Sequence, residues 1–158
     1  MNADKAANLS ADEWRGKCLN LYARAEQAVG SALEDAHRAN ATPKLRHLAG
    51  QRLADLIVTV EAKGGTGKQM KAFSSALGAW KAVESQRQFL AHGVASTSVD
   101  IRGCWTLLLD VVVYRNNQRS SDRWAIKQAE GEEFLRSLED AFAKLSGQLG
   151  HFRKRIAA

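Results

Sequence analysis

The C-terminal segment constrains this chain more than any other stretch. From Leu135 through Leu138, Phe142, Leu145, Leu149 and Phe152 to Ile156, apolar residues recur at alternating three- and four-residue steps. Only an α-helix gathers such a series on one side, because about 3.6 residues complete a turn. A stripe this regular must be covered, so it calls for other helices, as a bundle seam or part of a dimer seam. The acidic residues around Ala129 to Glu132 suit the positive end of that helix.

Three earlier runs repeat the pattern. Ser10-Ala-Asp-Glu13 reads as a capping box, in which serine and glutamate satisfy each other's backbone donors. Trp14, Cys18, Leu21, Ala25, Ala28 and Ala32 follow at helical spacing, predicting a helix to about His37. Thr42-Pro43 then opens a second helix, with proline where its missing donor is harmless. Leu45, Leu48, Leu53, Leu56, Ile57 and Val60 carry its apolar face. A third helix is predicted from Lys68 to Ala91, with Met70, Phe73, Leu77, Trp80, Val83, Arg87 and Leu90 on one side. Arg87 thus falls where the pattern otherwise places apolar residues, and a charge there costs stability unless it is paired or used.

Between the third and fourth helices the texture changes. Ala95 to Asp100 is small and polar, and Val99 to Tyr114 is rich in β-branched and aromatic residues. Trp105, Leu107, Leu109, Val111 and Val113 alternate onto one face, with Asp110 and Tyr114 on the other. Asn116 to Ser121 reads as a turn and Arg123 to Lys127 as a returning strand, with a short helix over Cys104 to Val113 as the competing reading. The expected fold is mainly α: an antiparallel four-helix bundle with a β-hairpin inserted between helices 3 and 4. It forms one domain over 1–158, with 1–9 flexible and 95–128 as the insertion.

A chain of 158 residues that is 45% hydrophobic can bury a core without staples. Its formal net charge of +6 favours polyanionic partners, RNA or DNA among them. Cys18 and Cys104 have no partner at metal-ligand spacing and read as buried small hydrophobes in a reducing compartment. Residues 1–9 carry no apolar leader, and Leu107 to Val113 is too short to span a bilayer. A cytoplasmic protein without membrane attachment is expected, with no metal and no cofactor.

Lys63-Gly-Gly-Thr-Gly67-Lys68 resembles the deviant phosphate loop of partitioning-type ATPases, where backbone donors and lysine hold phosphates. Ala62 stands where the standard loop has glycine, and Gln69 where magnesium needs Ser or Thr. The segment therefore reads as a glycine-rich turn between antiparallel helices.

Arg87 and His92 combine a phosphate-holding group with a proton-moving one near the end of the third helix. Five residues along an α-helix is a rotation of about 140° beyond one turn, so the two side chains do not share one face. They converge if the helix ends near Ala91, or meet counterparts from a second chain. RNA cleavage without a metal suits such groups. The RNA supplies its 2′-hydroxyl, histidine moves protons, and arginine stabilises the developing charge.

Arg87-Gln-Phe-Leu-Ala-His92, followed by Gly93, resembles the Arg-x(4–6)-His motif of HEPN domains. That resemblance implies a small helical bundle, commonly a two-fold homodimer, and a metal-independent endoribonuclease of the kind found in toxin–antitoxin and defence systems. It implies Arg87 and His92 as the catalytic pair at a dimer interface, RNA as substrate, and a cognate antitoxin protein as a further partner. Gln88 takes the supporting position where active members often carry Asn, Asp or His. A non-catalytic dimeric helical module of the same fold is the alternative. Arg115, Arg119, Arg123 and Lys127 bracket the expected hairpin turn and are candidates for RNA phosphates, with Tyr114 or Trp124 able to stack a base. His151 to Arg155 forms a second basic run; His37, His47 and His151 read as solvated helix positions.

Overall fold

The computed structural model describes residues 9–39, 45–63 and 65–158. They form a mainly helical chain with a small antiparallel sheet. In order, the elements are α1 (Ala11–Arg38), α2 (Ala49–Lys63), α3 (Gly67–Glu84), α4 (Arg87–His92), β1 (Val94–Val99), β2 (Trp105–Arg115), β3 (Gln118–Lys127) and α5 (Gln128–Ala157). They divide into two compact units. One runs up to Asn20 and over Ser85–Ser137, the other over Leu21–Glu84 and Leu138–Ala158, so the boundaries fall within α1, between α3 and α4, and within α5. Of residues 1–9, expected to be flexible, 1–8 lie outside the described residues, as does the Thr42-Pro43 helix start.

In the unit formed by Leu21–Glu84 and Leu138–Ala158, the apolar stripes become core. Leu33, Leu56, Val60, Phe73, Leu138, Leu145 and Phe152 are buried, each worth about 1.5–3 kcal/mol relative to exposure. Tyr22 meets Trp80 edge-on with ring centroids 5.6 Å apart. The Arg24 guanidinium lies 4.9 Å above the Phe142 ring, and Arg153 donates to Asp35 at 2.5 Å.

Two helix boundaries here differ from the sequence reading. The helix expected from Thr42-Pro43 begins at Ala49, leaving Leu45 and Leu48 outside it and exposed. Arg46 forms two 2.7 Å bonds with the Asp55 carboxylate. Nine residues of continuous helix would separate them by about 13.5 Å of rise, so this contact requires the chain to turn back before α2. The helix expected over Lys68 to Ala91 is interrupted at Ser85-Gln86. The Val83 carbonyl, which an unbroken helix would offer to the Arg87 N–H, accepts the Tyr22 hydroxyl.

The glycine-rich segment joins α2 to α3. Thr66 N–H donates to Gln69 Oε1 at 2.8 Å and Gln69 N–H to Thr66 Oγ1 at 3.2 Å. Gln69, the residue that spoils the phosphate-loop pattern, is thus half of a capping box.

In the other unit, α1 starts on the expected box. Ser10 N–H donates to Glu13 Oε2 at 2.8 Å, and Glu13 N–H to Ser10 Oγ at 3.2 Å. The bond from the Ser10 backbone is the main reason the Glu13 carboxyl lies below the ordinary carboxylate value. The hairpin is present, but as part of a three-stranded antiparallel sheet in the order β1-β2-β3. Asn116 and Asn117 both have positive φ, 51° and 59°, and Arg115 pairs with Gln118. This is a two-residue hairpin turn whose left-handed backbone suits asparagine, so β3 begins at Gln118 rather than near Arg123. The β1–β2 connection is another defined turn. Gly103 N–H bonds to the Asp100 carbonyl at 3.0 Å, and Gly103 takes φ 80°.

Alternation along β2 sets the two faces of the sheet. Trp105, Leu107, Leu109 and Val111 are buried, and the residues between them are less so. The inner face joins an aromatic cluster in which Trp14 lies 5.5 Å from Trp105 and 5.9 Å from Trp124. The Trp14 indole donates to the Gly131 carbonyl at 2.6 Å, the Trp105 indole to that of Leu9 at 2.9 Å. Cys18 is buried as expected, whereas Cys104 is exposed. It sits at the end of the turn, where its N–H bonds Asp100 Oδ1 at 2.9 Å, outside the buried face of β2.

Candidate functional site: the end of α4 and the open face of the sheet

Both parts of the candidate site belong to the unit that holds α4 and the sheet. Arg87 is the first residue of α4 and half-buried; Gln88 and His92 are exposed, and His92 closes the helix. Because α4 runs through His92, Arg87 and His92 point about 140° apart around its axis.

The end of α4 is held from outside. Arg15 on α1 donates through Nε to the Leu90 carbonyl at 2.7 Å and through Nη2 to the Gly93 carbonyl at 3.0 Å. A guanidinium here satisfies carbonyls that a helix end leaves without partners and complements their negative pole. Gly93 has extended backbone, φ −69° and ψ 134°, so glycine is not needed there for a left-handed turn. It is needed for closeness: a Cβ would press into the Phe89 carbonyl oxygen and lie 3.0 Å from Leu109 Cβ. This approach sets α4 against β2 and leads the chain from His92 into β1 at Val94.

Val94 pairs with Asp110 on β2, and Asp110 with Arg123 on β3. Arg123 grips Asp110 with two bonds, Nε to Oδ1 at 2.6 Å and Nη2 to Oδ2 at 3.0 Å. The hydrogen bond from Arg123, aided by its charge, holds the Asp110 carboxyl below the ordinary carboxylate value despite opposing desolvation. A bidentate carboxylate–guanidinium pair therefore lies in the same row of the sheet as the first residue of β1.

The four basic candidates separate by face. Arg119 pairs with Tyr114, Arg123 with Asp110 and Lys127 with Thr106, all on the side away from the aromatic cluster. Tyr114 is 74% exposed there, directly across from Arg119, with Val112 beside it also exposed. Arg115 takes the other parity and bonds Asp122 at 2.6 Å. Trp124 also belongs to the inner face, half-buried against Trp14, Phe89 and Phe134, so Tyr114 is the aromatic that the open face offers.

Arg15 and Asp110 are the residues that sequence reasoning did not assign to this region. Asp110 left a signal, as an acid interrupting an apolar strand on the side that carries the basic residues. Arg15 left none, because its acceptors are main-chain carbonyls far away in sequence. Among the described residues, no three His, Cys, Asp or Glu side chains are grouped to hold a metal ion, and no helix is long and apolar enough to cross a membrane. No protein-family model matches the chain, and neither a curated protein nor a solved structure matches it.

Proposed function

We propose that this protein binds single-stranded RNA on the open face of its sheet and cleaves it without a metal, as a HEPN-like endoribonuclease built on an antiparallel four-helix bundle. The observation that carries the proposal is Tyr114, exposed and directly opposite Arg119, with Arg123 and Lys127 farther along the same face. An exposed aromatic ring among arginine and lysine is a platform on which a base stacks while the cations take phosphates. His92 lies two residues before β1, whose first residue, Val94, is in the row of Asp110 and Arg123, midway along β2 and β3. In the reaction the RNA 2′-oxygen bonds to the adjacent phosphorus as the P–O5′ bond breaks, leaving a 2′,3′-cyclic phosphate and a free 5′-hydroxyl. The His92 imidazole takes the 2′-hydroxyl proton and a proton is returned to the departing 5′-oxygen, while the Arg87 guanidinium of a second copy stabilises negative charge on the phosphorane.

Incubation of RNA with the protein in EDTA tests the reading. Cleavage that His92→Ala abolishes supports it; equal cleavage by that variant, or none by the wild type, overturns the catalytic part. A second reading, a non-catalytic dimeric module of the same fold, draws on the divergence of Arg87 and His92 around α4. One helix by itself does not direct both groups at one phosphate. This reading expects Tyr114→Ala to weaken RNA binding and His92→Ala to change nothing in the RNA.

A further inference from the structure

We propose that the outer edge of β1, which no other described strand covers, is a self-association site, pairing antiparallel with β1 of a second copy so that two three-stranded sheets become one of six. The two edges of the sheet are treated differently by the sequence. The β3 edge carries Arg119, Asp122, Arg123 and Lys127, charges of the kind that discourage strand addition. The β1 edge, Val94-Ala-Ser-Thr-Ser-Val99, has no charge, proline or glycine, and all six residues are exposed. Val94 and Val99 are 72% and 64% exposed, and Ile101 in the adjoining turn entirely so.

The ladder indicates which main-chain groups point outward. Asp100 N–H bonds the Cys104 carbonyl at 3.0 Å, and these residues continue the β1–β2 register. Hydrogen-bonded pairs alternate along an antiparallel ladder, so Ser98, Ser96 and Val94 also direct their main-chain groups to β2. The N–H and C=O groups of Ala95, Thr97 and Val99 therefore face away from the sheet. A two-fold axis perpendicular to the sheet at Thr97 sets Thr97 opposite its own copy, Ala95 opposite Val99, and Ser96 opposite Ser98. About six main-chain hydrogen bonds form, and every opposed pair among these residues is small or β-branched and uncharged. A second copy fits this edge because the strand is complementary to itself in that register.

The geometry also has a consequence for α4. In this register the two Gly93 residues lie about 27 Å apart along the strands, so the interface is separate from any that would join two α4 helices. The proposal therefore stands or falls independently of RNA cleavage.

Light scattering across a dilution series tests it with Thr97→Lys and Thr97→Glu, whose side chains would meet their own copies at the axis. The wild type is expected at no less than twice the mass of either variant, and the equimolar mixture of the two variants at the wild-type mass. Thr97→Pro is a second probe. It removes a donor that faces away from β2, so it is expected to halve the mass while leaving the β1–β2 bonds intact. A wild type at the single-chain mass, or a Thr97→Lys variant with the same mass as the wild type, overturns the proposal.

Discussion

Arg15 Nε donates to the Leu90 carbonyl at 2.7 Å, so a residue of the first helix closes the end of α4. Its Nη2 reaches the Gly93 carbonyl as well, and one planar group thus bridges the helix end and the approach to β1. Arg15→Met keeps the aliphatic stem and removes both bonds. The loss expected is about 1–3 kcal/mol, the cost of leaving partly buried acceptors without donors, read as a lower urea midpoint. An unchanged midpoint would show that water replaces the guanidinium at no cost.

The Asp110–Arg123 pair gives a prediction with a definite sign. The folded protein holds the Asp110 carboxyl below its ordinary value, chiefly through the Arg123 hydrogen bond. Its stabilising contribution is therefore fully present above the unfolded-state value of about 3.9, and it is lost as pH falls through the lowered folded value. The stability difference between the wild type and Asp110→Asn should be constant around neutrality and disappear in strong acid. Urea titrations over that pH range check it; a difference that grows on acidification contradicts the assignment.

Asp110 also competes with RNA phosphate for Arg123. Asp110→Asn is expected to bind single-stranded RNA more tightly and to steepen the salt dependence by about 0.7 in log–log slope, the value of one further phosphate contact. Arg119→Ala should move both quantities the other way. Tyr114→Ala should cost about 1–3 kcal/mol of binding, the range for one stacked base, with folding stability unchanged because the ring is largely exposed. Fluorescence anisotropy at several salt concentrations separates these outcomes.

Two glycines should respond in opposite directions to alanine. A Cβ at Gly93 would meet the Phe89 carbonyl oxygen, which cannot swing aside, and Leu109 Cβ at 3.0 Å. Gly93→Ala should destabilise by about 1–3 kcal/mol through overpacking. Gly147 lies within α5 with nothing within 4 Å of an added Cβ. Gly147→Ala should stabilise by about 0.5–1 kcal/mol by removing a glycine from a helix interior. Thermal unfolding of both variants decides the matter.

Side-chain periodicity by itself determined the parts of this protein whose burial is one-sided. The α5 stripe from Leu135 to Phe152, the Ser10–Glu13 box and the inner face of β2 were all legible, because each is written in residue types at fixed spacing. Arg87 and His92 were legible only as residue types at a spacing; their divergence around α4 follows from the helix running through His92. Only the tertiary structure decided the features that depend on main-chain partners. β1 buries neither face, so it has no alternation to read; its pairing with β2 makes it a strand. The interruption before Arg87 coincides with a tyrosine hydroxyl on the Val83 carbonyl, and α2 begins late where Arg46 reaches Asp55. Neither contact leaves a mark in a hydropathy pattern. The same holds for Arg15, whose acceptors are carbonyls that any residue would carry: side-chain patterns report which surfaces must be covered, whereas main-chain hydrogen bonds are allotted only once the chain has come together.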